Sequence, residues 1–428
     1  MQKLLELTAC ETIARVAKGD LTVETLTRTY LDHIAVVEPD IEAWQHLDPD
    51  HAIMMAKAID AAPDVGPLKG MLVGVKDVID TVDMPTTYGS KAYVGHRPRS
   101  DAAVVAQFRK AGALLLGKTV STEFAAAAPG KTRNPFDLAR TPGGSSSGSA
   151  AAIGGGMVQV ALGTQTAGST IRPASFCGVV AYKPTYDVIE RTGTKPLANS
   201  FDTIGVMAKD VRDVALFTSV VGGRPRLTIP DALSTPKVIL YRSEAWPVAQ
   251  PEAEIALQRA IAALSTKGVC VTEKPLVNGF DRLLQTFAMV MEWEVSRALY
   301  YEYRFLPDKL HPRSIEMIEA CLRTATPERY DDGVKRIAWA RANIDLLFGD
   351  ADVLITPPSP GEAPLGLEKT GDASFNCMWS MLHAPCVTVP AGLGPNNMPI
   401  GVQVIGRPGE DARTLSAAAF LEDALKAA

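Results

Sequence analysis

The chain has 428 residues, of which 46% are hydrophobic and 21% are charged. These proportions are those of an ordinary globular protein, so they exclude a disordered or collagen-like chain. Lys and Arg number 43, Asp and Glu number 48, and the net charge is −5. Binding to a polyanion requires a concentrated basic face, so we expect no nucleic-acid partner.

Six cysteines are scattered along the chain and none forms a C-x-x-C pair, so we expect no metal site, no disulfide framework and no cofactor. Glu6 and Glu11 interrupt the N-terminus where a signal peptide requires an unbroken apolar run. No run of about 18 apolar residues occurs, so we expect no membrane span. Together these features predict a soluble cytoplasmic protein.

Taken in chain order, the sequence alternates between helical and strand-like segments. Residues 1–62 carry apolar residues at helical spacing, and the strand-like MLVGV that follows ends at Lys76. Residues 101–116 are predicted to form a helix followed by a strand, the alternation typical of an α/β protein. Residues 250–348 are predicted to be helical, and the remaining tail returns to strands. Strands on both sides of the helical stretch predict one sheet assembled from both halves.

Two motifs match the letters of known sites without the structural context that those sites require. Gly112–Thr119 fits the phosphate-binding loop, but its best strand lies inside the supposed loop. Gly144–Gly148 fits the nucleophile elbow G-x-S-x-G, but a loop precedes it. Only His311 and His383 follow it, neither beside an acidic pattern. We therefore expect neither a nucleotide site nor a Ser-His-Asp triad.

A tract of Gly, Ser, Ala and Thr fills residues 140–180. Its segment MVQVALGT is apolar and able to form a strand, which favours a packed segment over a flexible linker. Glycines here permit the close backbone approach that anion-holding amide nests require. Ser169 follows Thr166-Ala167-Gly168, the sequence of such a cradle, and its hydroxyl would need a base other than His.

Several long motifs occur in a fixed order along most of the chain: GVKDVID around Lys76, GGSSSGSAAA around Ser145, GTQTAGSTIRPASFCGVVAYKPT around Ser169, SFDTIGVMAKDV, and PIGVQVIGRPGED near the C-terminus. In these motifs the chain resembles the amidase signature family of serine hydrolases. The resemblance implies an α/β protein with the amidase signature fold, a large mixed central β-sheet flanked by helices on both faces.

The same resemblance implies a single amidase domain over residues 1–428. We expect N-terminal helices at 1–62, the signature core at 65–220, a variable helical excursion at 250–348 and the C-terminal part of the core at 350–428.

The resemblance also implies a Ser-Ser-Lys triad, with Ser169 as nucleophile, Ser145 as bridging hydroxyl in a cis peptide and Lys76 as base. A free lysine has a pKa of about 10.4 and is therefore protonated at neutral pH. Burial can lower that pKa by several units and make the neutral amine available. The oxyanion would be held by backbone N–H groups of Thr166, Ala167, Gly168 and Ser169.

Two features depart from the common family pattern. Ala167 places a methyl group in a tight turn where many members have Gly. Arg172 stands three residues after Ser169, as in malonamidase-like members, in which this Arg holds a substrate carboxylate. An Arg beside the nucleophile can bind a carboxylate bidentately, and a structural ion pair is the other interpretation. Ser146 likewise has two interpretations: it forms a hydrogen bond within the site, or it supports the structure.

The substrate pocket is where the resemblance is weakest. Apolar residues at helical spacing, as in residues 282–305, usually belong to the core. We nevertheless hypothesise that Trp293 walls the pocket together with Met378 and Trp379.

The main prediction is an amidase that hydrolyses C–N bonds of small-molecule amides through a Ser169 acyl-enzyme, with carbamates or esters as further substrates. Its expected partner is a small-molecule amide or carbamate, without nucleic acid or membrane, and the expected state is a homodimer or monomer. The alternative is a glutaminase-type subunit of a tRNA-dependent amidotransferase complex. A non-catalytic binding protein on this fold is disfavoured because Lys76, Ser145 and Ser169 are all present.

Overall fold

The computed structural model describes residues 2–62 and 66–428. Residue 65, where the signature core is predicted to begin, lies outside these residues. The described strands are β1 Trp44–Leu47, β2 Leu72–Lys76, β3 Leu114–Thr119, β4 Val160–Gln165, β5 Val180–Lys183, β6 Thr203–Ala208, β7 Val238–Tyr241, β8 Val271–Lys274, β9 Val353–Thr356, β10 Cys386–Leu393 and β11 Pro399–Ile405.

The described α-helices are α1 Gln2–Leu5, α2 Ala9–Ala17, α3 Val23–Ile41, α4 Pro49–Ala61, α5 Ala103–Lys110, α6 Ser147–Gly154, α7 Ile171–Phe176, α8 Val211–Val221, α9 Pro251–Thr266, α10 Leu283–Ala298, α11 Tyr300–Phe305, α12 Pro312–Thr324, α13 Pro327–Ala342, α14 Asp345–Phe348, α15 Ser374–Met381 and α16 Asp411–Lys426. Within residues 2–62 and 66–428, no helix is long and apolar enough to cross a membrane.

All eleven described strands form one mixed sheet in the order β1-β3-β2-β4-β6-β5-β10-β11-β9-β7-β8. The two halves of the chain join where β5 pairs antiparallel with β10, with Lys183 opposite Cys386. Every residue of β2, β3 and β4 is buried, as expected for strands covered on both faces. Two large apolar clusters account for most of the buried hydrophobic side chains. The prediction of a single mixed α/β sheet built from both halves is therefore confirmed.

Two short strands lie in segments that the sequence predicts as helical. β1 lies within residues 1–62 and pairs antiparallel with β3 at one edge of the sheet. β8 lies within residues 250–348 and pairs parallel with β7 at the other edge. Each has four residues, which is too short for an alternating pattern to stand out from neighbouring helices.

The helical excursion is fastened to the signature core by buried carboxylates. Glu302 of α11 accepts hydrogen bonds from the Tyr93 hydroxyl and the Lys195 ammonium, both at 2.6 Å. From the core side, Glu123 accepts from the His311 backbone N–H at 3.0 Å, just before α12 begins. These buried, charge-assisted hydrogen bonds tie α11 and α12 to loops of the core.

Gly148 shows how closely α6 packs against the sheet. A Cβ atom added there would lie 2.2 Å from the Ala43 carbonyl oxygen and 2.3 Å from the Val120 backbone nitrogen. Backbone atoms cannot rotate away as a side chain can, so we expect Gly148→Ala to lower the free energy of unfolding by about 3 kcal/mol. Urea unfolding measures this loss. Gly223→Ala is the comparison variant. Its added Cβ has nothing within 4 Å, so any loss of stability there comes from the positive φ of Gly223 and not from a steric overlap.

Candidate active site

The ends of two neighbouring strands bring the motif residues together. β2 ends at Lys76 and runs parallel to β4, with Val75 opposite Leu162. Ser169 lies in the turn between β4 and α7. Because carboxyl ends of parallel strands lie at the same edge of a sheet, Lys76 and the turn after β4 meet there.

Lys76 is fully buried between two hydroxyl groups. Its Nζ lies 2.6 Å from Ser145 Oγ and 2.7 Å from Thr164 Oγ1. Burial holds the pKa of Lys76 well below its usual value, and the negative charge of Asp202 opposes this shift. The lowered pKa favours the neutral amine, which is in direct contact with the Ser145 hydroxyl. Thr164 was missed by the sequence analysis, because only the pairing of β2 with β4 brings it to Lys76.

The segment before α6 lies against the turn that carries Ser169. The Gly144–Ser145 peptide bond is cis, and the Ser146 N–H donates to the Ser169 carbonyl oxygen at 3.2 Å. The Ser146 hydroxyl accepts from the Thr164 N–H at 3.2 Å and lies 3.3 Å from the Thr164 carbonyl oxygen. These hydrogen bonds hold Ser146 between strand β4 and the turn that carries Ser169.

The turn at residues 166–169 leaves N–H groups free to bind an anion. Among the described residues, the N–H groups of Gly168 and Ser169 have no protein hydrogen-bond acceptor. The Thr166 hydroxyl donates to Asp202 at 2.6 Å, and Asp202 also accepts from the N–H groups of Leu197 and Ala198 at 2.8 and 3.0 Å. A turn with unpaired N–H groups is a binding site for a negatively charged oxygen.

Asp202 is a buried carboxylate that in the sequence stands within the motif SFDTIGVMAKDV. Burial raises its pKa to about 6, although its three hydrogen bonds act in the opposite direction. Near neutral pH it therefore contributes a negative charge close to Lys76. Its position, 36 residues after Thr166, has no local sequence signal that would assign it to the cradle.

Arg172 is buried and turned toward the backbone of the serine tract. Its Nη2 donates to the Gly144 carbonyl oxygen at 2.5 Å and to the Thr370 hydroxyl at 3.3 Å. Burial lowers its pKa to about 10. Across residues 2–62 and 66–428, Arg172 forms no ion pair within 4.0 Å. The structural ion pair considered for Arg172 is therefore not formed, and binding of a substrate carboxylate by Arg172 stays a prediction.

The three side chains predicted to wall the pocket lie on two helices, α10 and α15. Met378 and Trp379 lie in α15 and are 3% and 1% exposed, and Trp379 packs edge-on against Tyr241. Trp293 stacks on Tyr330 and lines a separate groove of the helical excursion. Their roles in substrate selection stay predictions. Among the described residues, no group of three or more His, Cys, Asp or Glu side chains could hold a metal ion.

Comparison with known proteins gives the family. The family model described as Amidase matches residues 25–415. A glutamyl-tRNA(Gln) amidotransferase subunit of Chloroflexus aggregans is 33% identical, with 97% of this chain and 96% of that protein covered. A solved amidase structure superposes with a TM-score of 0.89 at 28% identity, covering 97% of this chain and 99% of that chain. The glutamyl-tRNA(Gln) amidotransferase subunit from Thermotoga maritima superposes with a TM-score of 0.78 at 27% identity, covering 97% and 94%.

The fold and the similar proteins place the chain among the amide C–N hydrolases and amidotransferases. The chain belongs to the amidase family, as its signature motifs imply.

One expectation is overturned by these comparisons. A homodimer or monomer whose only partner is a small amide or carbamate was expected, but curated relatives above 30% identity are each named as one subunit of an amidotransferase. That expectation is wrong, because the motifs that carry it describe the site alone and contain no information on surfaces that contact other chains.

Proposed function

We propose that this chain hydrolyses an amide C–N bond through a Ser169 acyl-enzyme and does so as the amide-hydrolysing subunit of an amidotransferase. The observation that carries the chemistry is the buried Lys76 amine, 2.6 Å from the Ser145 hydroxyl. The role within a complex is supported by the relatives named as a subunit of glutamyl-tRNA(Gln) amidotransferase, which the chain matches over nearly its whole length.

In the first step, Ser169 Oγ attacks the carbonyl carbon of the amide and forms a C–O bond. Its proton passes to Ser145, which transfers its own proton to neutral Lys76. Among the described residues, the Lys76 amine hydrogen-bonds to Ser145 and Thr164 and not to Ser169. Ser145 is therefore needed to carry the proton from Ser169 to Lys76. A base that is neutral at the working pH accepts this proton without first losing one of its own.

The negative charge that develops on the carbonyl oxygen would be bound by N–H groups of the turn at 166–169. The N–H groups of these four residues, including those of Gly168 and Ser169, have no acceptor among the described residues. Donors already aimed at the developing charge need no reorganisation during the reaction. Losing one such donor typically lowers the rate by about a hundredfold or more.

Collapse of the tetrahedral intermediate breaks the C–N bond, and the leaving nitrogen takes the proton held by Lys76 through Ser145. Ammonia leaves when the substrate is a primary amide. Water then attacks the Ser169 ester, and the same groups return the hydroxyl to its resting state. In an amidotransferase the ammonia passes to an acceptor, which for the named relatives is glutamyl-tRNA(Gln).

A second candidate is an amidase that releases ammonia to water. The observation that favours it is the TM-score of 0.89 with a solved amidase, against 0.78 with the amidotransferase protein of Thermotoga maritima. Both candidates use the same chemistry and differ in the fate of the ammonia.

Isotope transfer separates the two candidates. The chain is purified with the other amidotransferase subunits of its source organism and supplied with glutamine labelled with ¹⁵N in its side-chain amide. Transfer of the label to glutamyl-tRNA(Gln) supports the role within a complex. Release of labelled ammonia at the same rate with and without those subunits, and without transfer, favours the second candidate. Absence of amide hydrolysis in every arm, including a panel of simple amides, contradicts both.

The charge on Asp202 gives a prediction for the pH dependence. Asp202 raises the pKa of Lys76, so Asp202→Asn lowers that pKa further. Because the neutral amine is the base, the acidic limb of the kcat/KM profile moves to lower pH. Thr166→Val removes one of the hydrogen bonds that lower the pKa of Asp202, so part of the negative charge is lost near neutral pH and the limb moves in the same direction by a smaller amount. The profile is recorded from about pH 5 to 9; movement of the limb to higher pH in Asp202→Asn contradicts the prediction.

A further inference from the structure

We propose that Ser380 and Asn376, on one face of α15, are positioning residues that aim the N–H groups of the cradle at the reacting carbonyl. This inference rests on the proposed function, since it assigns a purpose to the turn that carries Ser169. The two residues are four apart in the helix and therefore lie on the same face. They act through the backbone of the turn and do not touch the Lys76–Ser145 pair.

Ser380 fixes the peptide unit between Ala167 and Gly168. The Ser380 hydroxyl donates to the Ala167 carbonyl oxygen at 2.7 Å. In a planar trans peptide the carbonyl and the following N–H point in opposite directions. Holding the Ala167 oxygen against α15 therefore turns the Gly168 N–H away from the helix. A hydrogen bond accepted by the carbonyl also polarises the peptide and strengthens its N–H as a donor.

Gln165 connects this hydroxyl to the other end of the turn. Its Nε2 donates to Ser380 Oγ at 3.1 Å, so the hydroxyl accepts one hydrogen bond while it donates another. Its Oε1 accepts from the N–H groups of Thr170 and Ile171 at 2.9 and 3.0 Å. Both flanks of residues 166–169 are thus held by one buried side chain that is itself oriented by Ser380.

Asn376, four residues before Ser380 in α15, contacts the same turn at residues 166–169. A Cβ added to Gly168 would lie 2.2 Å from Asn376 Oδ1, so the amide oxygen sits directly over this glycine. Asn376 is fully buried, and its Oδ1 has no hydrogen-bond partner in the part of the chain that the structure describes. Its Nδ2 donates to the Pro358 carbonyl oxygen at 3.2 Å, which fixes the amide in this orientation.

The packing of Asn376 explains which substitutions in the cradle can be accommodated. Position 167 carries the methyl group of Ala167, whereas any side chain at Gly168 would overlap Asn376 Oδ1. The turn is therefore shaped from the α15 side, more than 200 residues away in sequence.

The rate at which a fluorophosphonate labels the protein tests this inference, because phosphonylation of a serine places a developing oxyanion in the cradle and needs no knowledge of the natural substrate. We expect Ser380→Ala to lower the second-order labelling rate constant about tenfold, less than the hundredfold that loss of a donor itself costs. Ser380→Thr keeps the hydroxyl and restores most of the rate. Ser374→Ala, which removes a half-buried hydroxyl of the same helix bonded to Asp372, leaves the rate unchanged.

The fold is checked by the melting temperature and by the fraction finally labelled. If Ser380→Ala fails to fold, Ser380→Cys keeps the size of the side chain with a weaker donor and should label at an intermediate rate. Labelling by folded Ser380→Ala or Ser380→Cys at the wild-type rate overturns the inference. Labelling of Ser169→Ala at the wild-type rate instead overturns the proposed function.

Discussion

Replacing Ser169 with Ala is expected to lower amide hydrolysis by at least about a thousandfold, because removing the nucleophile of a serine hydrolase costs far more than removing any group that assists it. The loss should appear in kcat, since the alanine side chain leaves the space for the substrate open. The N–H groups of the turn remain in place in this variant, so substrate binding should change little.

Two measurements check this prediction. The first is ammonia release by Ser169→Ala compared with the wild type. The second is mass spectrometry of the protein after treatment with a fluorophosphonate, which should locate the adduct on the peptide that contains Ser169. A full rate in the variant, or an adduct on another serine, would show that a different hydroxyl is the nucleophile.

Ser175→Ala is a matched control six residues along the chain. The Ser175 hydroxyl is buried in α7 and has no hydrogen-bond partner among the described residues. Removing an unpaired buried hydroxyl costs little or is stabilising, so this variant should keep both its activity and its free energy of unfolding. A general sensitivity of the tract to Ser→Ala changes would appear in both variants.

The contact between Lys76 and Ser145 could be predicted because both residues lie within continuous motifs. The motif around Lys76 and that around Ser145 are each continuous, and the structure brings the Lys76 amine and the Ser145 hydroxyl to 2.6 Å. The sheet was predicted because strand-like segments lie on both sides of the helical excursion, and the pairing of β5 with β10 confirms it.

Groups that support the site from a distance were not predicted. Thr164 reaches Lys76 across 88 residues and Ser380 reaches Ala167 across 213. Such contacts are set by strand pairing and by the docking of α15, neither of which leaves a periodic pattern in the sequence. The predicted pocket walls also depend on packing that the sequence does not show: Trp379 is buried, and its role in substrate selection stays a prediction.

Lys76→Met is expected to lower kcat by about a hundredfold or more, the range typical for loss of a general base. Methionine keeps much of the length of lysine but cannot accept the proton from Ser145. The rate is measured as hydrolysis of glutamine, or of a simple amide from the panel that the wild type hydrolyses. Labelling by a fluorophosphonate should slow in parallel.

The same substitution should change how stability depends on pH. The pKa of Lys76 is lowered by folding, so between that pKa and about 10.4 the unfolded chain binds a proton that the folded chain lacks. Stability of the wild type therefore rises with pH through this window, by about 1.4 kcal/mol per pH unit for this one group. Lys76→Met loses that contribution, so the wild type gains stability relative to the variant as the pH rises from that lowered pKa toward about 10.4. Urea unfolding at several pH values measures the difference.

Lys118→Met is the contrasting control, because Lys118 is also a fully buried lysine but has an acidic partner. Its Nζ lies 3.6 Å from Asp77 and donates to the Ile79 carbonyl oxygen and the Thr86 hydroxyl, both at 2.6 Å. Removing one member of a buried ion pair leaves the other charge uncompensated, which costs about 3–5 kcal/mol. Lys118→Met should thus be destabilised near neutral pH, whereas Lys76→Met should lose the base and the pH-dependent gain. Burial also lowers the pKa of Lys118, to about 8, so above that pH Lys118→Met loses a pH-dependent gain as well. If Lys76→Met followed the pH dependence of the wild type, Lys76 would not be the neutral amine that the mechanism requires.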